Sequence, residues 1–235
     1  LNFVKLTSGK YLLNLIPTKI PMSKFHLFVF FAFSGMMVAC APSVYKSPDF
    51  DKLTSRHKLV AILPFNVQID SRNLPKNVTA EMVREDEKKT SYSIQGHAYG
   101  YLLQELSKKK FTVRFQDIDK TNALLREKGV EYGTIRDKTR EDLCRLLDVD
   151  AVLSGKVNLS RPMSEGGAVA IGLLFGVWGT TNEVSANLVL HEHSRGELLW
   201  KYDWQAEGSV GSSAEKLSRS LMRSASKNFP YQKKK

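Results

Sequence analysis

The pattern that most constrains the fold is a long amphipathic β-hairpin predicted near the C-terminal end of the chain. Between residues 183 and 190, apolar and polar side chains alternate with the period of a strand that has one buried face. A turn at 194–197 follows, and Trp200, Tyr202 and Trp204 then occupy every second position. Because this aromatic face has to be covered, the chain must contain further elements that pack on it.

Strand and helix patterns alternate upstream of the hairpin. Apolar runs at 58–65 and 150–159 predict buried strands, and the alternation at 111–115 predicts a short one. The polar stretch 66–89 is predicted to be a long loop. Helices are predicted at 94–106, at 119–128 before Gly129, after a capping box at Thr139, and after a cap at Ser212. The fold class is therefore α+β, an α/β sandwich with a mixed β-sheet, helices packed on it, a C-terminal hairpin and a final helix.

The first forty residues have the pattern of a targeting segment. A short positive stretch after Met22 precedes the apolar run 25–33 and a series of small residues, which predicts a secretory signal peptide at 22–39. The run is shorter than the roughly 20 residues that a spanning helix needs. Residues 1–21 precede this better start and are expected to be an upstream extension.

Residues 37–40 read Met-Val-Ala-Cys and resemble the lipobox of bacterial lipoproteins, whose cysteine is diacylated and becomes the new N-terminus. The resemblance implies a lipid, such as palmitate, on Cys40, whereas an ordinary secreted protein with an incidental cysteine is the alternative. Residues 40–57 are predicted to be the anchor and a tether, and 58–230 the folded domain. No aspartate follows Cys40, which favours an outer-membrane location with the domain in the periplasm.

The net charge of +11 invites a nucleic-acid interpretation that the positions of the charges do not support. Four lysines lie in the leader, and three more end the chain in a basic tail at 231–235. The remaining basic residues are scattered or lie at predicted helix ends, so no nucleic-acid partner is expected.

One segment does not fit a plain soluble domain, because 166–179 carries no charge at all. As a helix, 168–178 would reach about 16 Å, too short to cross a bilayer, but as a strand it would reach about 36 Å. A buried strand or loop and a membrane-contacting or subunit-contacting arm are both open. For the second, the contact residues are the large side chains of this segment: Val169, Ile171, Leu173, Phe175, Val177 and Trp178.

Seven short motifs occur in an order that resembles the curli-secretion-channel lipoprotein family (CsgG-like), and more loosely periplasmic lipoproteins that share the N-terminal fold of TolB. They are VAILPF at 60–65, LLQEL at 102–106, LLREK at 124–128, DAVLSG at 150–155, the Gly-rich run 166–179, ANLVL at 186–190 and RGELL at 195–199. In that family the Gly-rich run contributes to a hairpin of an outer-membrane barrel, and the α/β domains form a ring. Only a short Gly/Ser stretch follows Trp204 here, where the family has a second long hairpin, so the resemblance implies the fold rather than a complete pore.

The other residues with reactive side chains are expected to be structural. Cys144 lies beside leucines at helical spacing and is predicted to be a buried thiol. His191 and His193 share a spacing that can chelate a metal, but no third ligand follows the pattern, and His97 between Gly96 and Gly100 is interpreted as a packing detail. Neither a cofactor nor a metal is expected, and the chain is predicted not to be an enzyme.

Two functions from different classes follow. The first is a lipid-anchored lipoprotein for outer-membrane assembly or secretion, a homo-oligomer that forms a ring and uses 166–179 as its contact. The second is a monomeric periplasmic adaptor that binds an envelope enzyme or transporter. A metal-dependent enzyme built on His191 and His193 is a distant third.

Overall fold

The chain folds around a seven-stranded mixed sheet, seen in a computed structural model that describes residues 42–70, 78–108, 110–160, 183–207 and 213–233. The strands in these ranges are β1 (Ser43–Lys46), β2 (Leu59–Ile62), β3 (Asn66–Ile69), β4 (Arg114–Phe115), β5 (Ala151–Ser160), β6 (Glu183–Glu192) and β7 (Leu198–Glu207). They lie in the order β1-β7-β6-β5-β2-β4, and β3 also pairs with β5. The pairs β2–β4, β2–β5 and β3–β5 are parallel and the others antiparallel, which confirms the predicted α+β class with a mixed sheet.

Helices cover both faces of this sheet. Within the described ranges they are α1 (Phe50–Leu53), α2 (Ala80–Ser107), α3 (Ile118–Glu127), α4 (Arg140–Leu147) and α5 (Ala214–Ala225). Helices α2 and α5 share a large core that includes Val60 of β2, whereas α3 and α4 share a smaller core that includes Ala61. Because neighbouring residues of a strand point to opposite faces, the two cores lie on opposite sides of the sheet.

The aromatic face of the hairpin forms the centre of the larger core, as predicted. Trp200 is fully buried and stacks on Tyr202 with ring centroids 5.6 Å apart. Phe229, which follows α5, meets the Trp200 ring edge-on at 5.5 Å, a favoured geometry for aromatic pairs. The chain after α5 is thereby fixed to the sheet.

A glycine allows the segment that joins β2 to β3 to pack closely against β5. Gly155 of β5 lies under the ring of Phe65, and an added Cβ would lie 2.4 Å from the Phe65 Cε1 atom and 3.1 Å from the Leu188 Cδ2 atom. Phe65 is fully buried and packs where that side chain would be. Glycine is therefore the residue that this packing requires.

The folded part begins earlier than predicted, because residues 43–46 of the predicted tether form an edge strand of the sheet. Strand β1 pairs with β7, and the Ser47 N–H donates to the Leu199 carbonyl at 2.9 Å. Phe50 is buried and meets the Tyr231 ring edge-on at 5.3 Å. Prolines and mixed charges suggested a tether, but four extended residues are enough to add an edge strand.

The predicted long loop at 66–89 is also wrong over most of its length. Val67 and Ile69 are buried residues of β3, and α2 begins at Ala80 after Thr79, whose hydroxyl accepts the Met82 N–H at 3.2 Å. The charged run at 84–89 lies within this helix, because long charged side chains are good helix formers.

The structure confirms two predicted helix boundaries, moves a third by one residue, and shortens the predicted basic tail. Thr139 caps α4 by accepting the Asp142 N–H at 3.0 Å, and Gly129 follows α3 with a φ of 68°. The final helix is capped by Ser213 rather than Ser212, since the Ser213 hydroxyl accepts the Lys216 N–H at 3.2 Å. The predicted basic tail at 231–235 begins too early, because Tyr231 is buried.

Candidate functional site

The site residues predicted from sequence, Cys40 and the apolar set from Val169 to Trp178, lie outside the described residues. Their flanks are described. Pro42 leads directly into β1, and the apolar segment lies between Ser160, which ends β5, and Glu183, which begins β6.

Ser160 and Glu183 meet at one end of the sheet, the Glu207 end, which Ser160, Glu183 and Glu207 define. Ser160 lies opposite Glu183, and Glu183 opposite Glu207. Ser43 lies opposite Asp203, and β1 runs antiparallel to β7. The first residue of β1 therefore lies on the side of β1 that is nearer the Glu207 end.

The opposite end of the hairpin is closed by the predicted turn at 194–197. The carboxylate of Glu192 accepts hydrogen bonds from the Ser194 N–H at 2.6 Å, the Arg195 N–H at 2.5 Å and the Glu197 N–H at 3.3 Å. Burial alone would raise the pKa of this carboxyl, but the hydrogen bonds outweigh it and hold the pKa below its usual value. Glu192 is thus a structural anion that fixes the turn.

The two histidines considered as a metal pair lie in different environments. His191 is half-buried in β6, and its Nδ1 atom has no hydrogen-bond partner among the described residues. Burial and the nearby Arg140 guanidinium lower the pKa of His191 to about 4. His193 is exposed in the turn. Over the described ranges, no three His, Cys, Asp or Glu side chains come together as metal ligands.

The lowered pKa of His191 predicts that acid destabilises the fold. Between pH 6.5 and about 4 the unfolded chain takes up a proton that the folded imidazole does not, so the free energy of unfolding should fall with pH by at most about 1.4 kcal/mol per unit. Chemical unfolding at pH 7.5 and 4.5 should show a smaller loss for His191→Gln than for the unsubstituted chain. His193→Gln is the exposed control, and equal losses in all three proteins would contradict this role of His191.

Cys144 is buried in the smaller core, as predicted. Burial, with a smaller effect of the Glu192 carboxylate, raises the pKa of its thiol to about 12. The thiol therefore keeps its proton at neutral pH and is a poor nucleophile.

A polar network covers the face of β5, β6 and β7 that points away from the larger core. The Asn158 amide donates to the Ser185 hydroxyl at 3.0 Å, and the Asn187 amide donates to the Asp203 carboxylate at 2.6 Å. Lys201 binds the same carboxylate at 2.9 Å. These half-buried side chains form a hydrogen-bonding surface of the kind that contacts solvent or a partner.

The backbone groups along the free edges of β3 and β1 differ in how they are satisfied. On β3, the Tyr132 hydroxyl bonds both the N–H and the carbonyl of Val67 at 3.2 Å, and Glu87 accepts the Ile69 N–H at 2.9 Å. In an antiparallel pair, the backbone groups of alternate residues point toward the partner strand and away from it. The Ser47–Leu199 bond sets this alternation on β1, so the N–H and carbonyl groups of Val44 and Lys46 point away from β7. Within the described residues, no hydrogen bond reaches these groups.

The side chains of β1 do little to protect this edge. Val44 and Tyr45 are 43% and 45% exposed. Lysine often blocks an edge strand, but the Lys46 ammonium binds Asp51 at 3.3 Å and lies 4.4 Å above the Phe50 ring. Among the residues that the structure describes, nothing pairs with the outer edge of β1, so this edge could accept a further strand.

A cleft of about 290 Å³ lies between α2 and α5. The residues that line it are Gly96, His97, Gly100, Tyr101, Gln104, Glu215, Arg219 and Arg223. His97 is exposed here, so it is not the packing detail that the sequence suggested. The cleft was missed from sequence because its walls lie more than 100 residues apart in the chain and no motif connects them.

No helix in the described part of the chain combines the length and the apolarity required to cross a membrane.

Comparisons with known proteins give structural likenesses alone, since no protein-family model and no curated protein matches the chain. A PelC dodecamer from Paraburkholderia phytofirmans shares 15% identity over 83% of this chain and 99% of its own, with a TM-score of 0.41. Lipoprotein GNA1162 from Neisseria meningitidis shares 16% identity over 73% of this chain and 95% of its own, with a TM-score of 0.38.

A third similar structure is the C-terminal domain of LpoB from Salmonella enterica, with 10% identity over 68% of this chain and 93% of its own and a TM-score of 0.33. The similar structures thus include one named as a lipoprotein and one solved as a dodecamer. At TM-scores below 0.5 and identities of 16% or less, they establish neither a family nor a function for this chain.

Proposed function

We propose that this chain is a lipid-anchored lipoprotein of the cell envelope that acts in outer-membrane assembly or secretion. In this proposal Cys40 carries the lipid, the folded domain lies in the periplasm, and copies of the chain form a ring with 166–179 as the membrane or subunit contact. The observation that carries it is the position of the lipobox cysteine, three residues before the first strand of the sheet.

The short stretch of chain between Cys40 and β1 supports a location of the folded domain close to the membrane. Three residues span at most about 11 Å, so a lipid on Cys40 would hold Ser43 near the bilayer surface. Ser160 and Glu183, which flank the apolar segment, lie at the Glu207 end of the sheet, and β1 starts on the same side. In this proposal, the lipid anchor and the apolar segment therefore attach to the domain on the side that faces the membrane.

The open edge of β1 supports the association with further chains. Its outward backbone groups can pair with a strand from another subunit, which would continue the sheet. The CsgG-like resemblance of the seven motifs points the same way, since that family forms rings.

Lipidation gives the direct test. We expect Cys40→Ser to abolish incorporation of labelled palmitate and to move the chain from the membrane fraction to the soluble one, because each buried methylene of an acyl chain contributes about 0.8 kcal/mol to membrane binding. Cys144→Ser is the matched control and should remain labelled and membrane-bound. A Cys40→Ser chain that is still labelled and sedimented with membranes would refute the anchor.

The oligomer is tested separately, by native mass spectrometry of the lipoprotein extracted in mild detergent. A ring predicts a single high-order species, whereas monomers at all concentrations would refute the ring.

The second candidate is a monomeric adaptor that binds one envelope protein, and the polar face of β5, β6 and β7 favours it. Crosslinking in cells followed by affinity purification should then recover one dominant protein, and Asn187→Ala together with Lys201→Ala should reduce its yield. Neither candidate includes a catalytic step.

A further inference from the structure

The cleft between α2 and α5 combines a concave shape with convergent polar groups. Helix α5 contributes Arg219 and Arg223, and α2 contributes His97, Tyr101 and Gln104. The two arginines are four residues apart, so they lie on one face of their helix. Donors from two helices therefore face one space that is open to solvent.

The charges in the cleft favour an anion. Glu215 is the one carboxylate among the lining residues, and it binds the Arg219 guanidinium. This ion pair restricts Arg219 without occupying Arg223, which has no carboxylate partner among the described residues. The lining thus carries a net positive charge, with one guanidinium oriented and the other available.

The space in the cleft is not required by the packing of the helices. An added Cβ at Gly100 would meet nothing within 4 Å, and one at Gly96 would make an ordinary contact of 3.9 Å with Ile118. Each glycine inside a helix costs about 1 kcal/mol relative to alanine. Gly100 lines the cleft at a position where alanine fits, so the packing of the helices does not require a glycine there.

We propose that this cleft binds a phosphate group. Planar guanidinium groups form paired hydrogen bonds with phosphate oxygens, and the Gln104 amide and the Tyr101 hydroxyl add neutral donors. A tetrahedral anion accepts hydrogen bonds from several directions, which suits donors that come from two facing helices. The phosphate can belong to a small soluble phosphomonoester or to a lipid headgroup, and both present the same oxygens.

Calorimetric titration of the full chain in detergent, at low ionic strength, tests the proposal. The probes are inorganic phosphate, glycerol phosphate and short-chain phosphatidylglycerol, with chloride at matched ionic strength as the blank. We expect saturable binding of one phosphate per chain, weakened at least tenfold by Arg223→Gln. Lys216→Gln removes the same charge from the same helix outside the cleft and should change the affinity less than twofold.

A second pair of variants separates binding from stability. Gly100→Ala should fold normally with slightly higher stability, whereas Gly100→Leu should fold but lose phosphate binding because its side chain occupies the cleft. Tighter binding of glycerol phosphate would identify a soluble ligand, and tighter binding of phosphatidylglycerol a headgroup. Absence of saturable binding, or equal weakening by Arg223→Gln and Lys216→Gln, would overturn the proposal and leave an ordinary basic surface.

Discussion

The Gly155→Ala variant is expected to lose about 3 kcal/mol of unfolding free energy, near the upper end of the range for overpacked cores. The added methyl group would lie 2.4 Å from the Phe65 Cε1 atom and 2.5 Å from its Cδ1 atom. Phe65 is fully buried, so its ring has no open space into which it can move. Urea unfolding followed by circular dichroism measures the loss.

Gly100→Ala is the matched control, because its added methyl group meets nothing within 4 Å. Phe65→Leu, which places a smaller side chain next to Gly155, provides a second check. By itself this substitution should lower the unfolding free energy, but it should reduce the further loss that Gly155→Ala causes. A double-mutant cycle detects this coupling. A Gly155→Ala chain as stable as the unsubstituted one would show that the Phe65 ring does not pack against β5.

Trp200→Ala is expected to cost about 3–5 kcal/mol, the range for deletion of a large aromatic side chain from a core. Trp200 joins the hairpin to the chain after α5, since its ring contacts both Tyr202 and Phe229. Removing it leaves a cavity at the centre of the larger core. The measurement is again the midpoint of chemical unfolding, with the slope as a test of two-state behaviour.

Trp200→Phe separates the ring from its polar group. The Trp200 Nε1 atom is buried with no hydrogen-bond partner among the described residues, so its removal breaks no such bond. We therefore expect Trp200→Phe to cost less than half as much as Trp200→Ala. Equal costs for the two variants would indicate that the indole N–H has a hydrogen-bond partner outside the described residues.

The sequence predicted best those elements whose own pattern determines their environment. The alternation between residues 183 and 190 predicts which face of β6 lies in the core, and the three aromatic residues of β7 predict the same face for the hairpin. The buried strands β2 and β5 and the helices with apolar stripes follow from the same reasoning. Local hydrogen-bonding chemistry predicted the cap at Thr139 and the stop at Gly129.

The missed elements are those that tertiary contacts stabilise. Four residues of β1 and four of β3 are too short to show a period, and each becomes a strand because a neighbouring edge accepts it. The first turns of α2 lack an apolar stripe and are helical because Thr79 caps them and the rest of the helix extends them. The cleft depends on how two helices lie side by side, which no short motif records.

The pairing of β1 has a mechanical consequence. Hydrogen bonds between antiparallel strands lie perpendicular to the strands, and β1 is paired with β7 along its whole length. A pull on the chain ahead of Ser43 would act along the strand axis and load all these bonds together in shear, rather than breaking them one after another. A domain held by its N-terminus in this way would resist the detachment of β1 from the sheet.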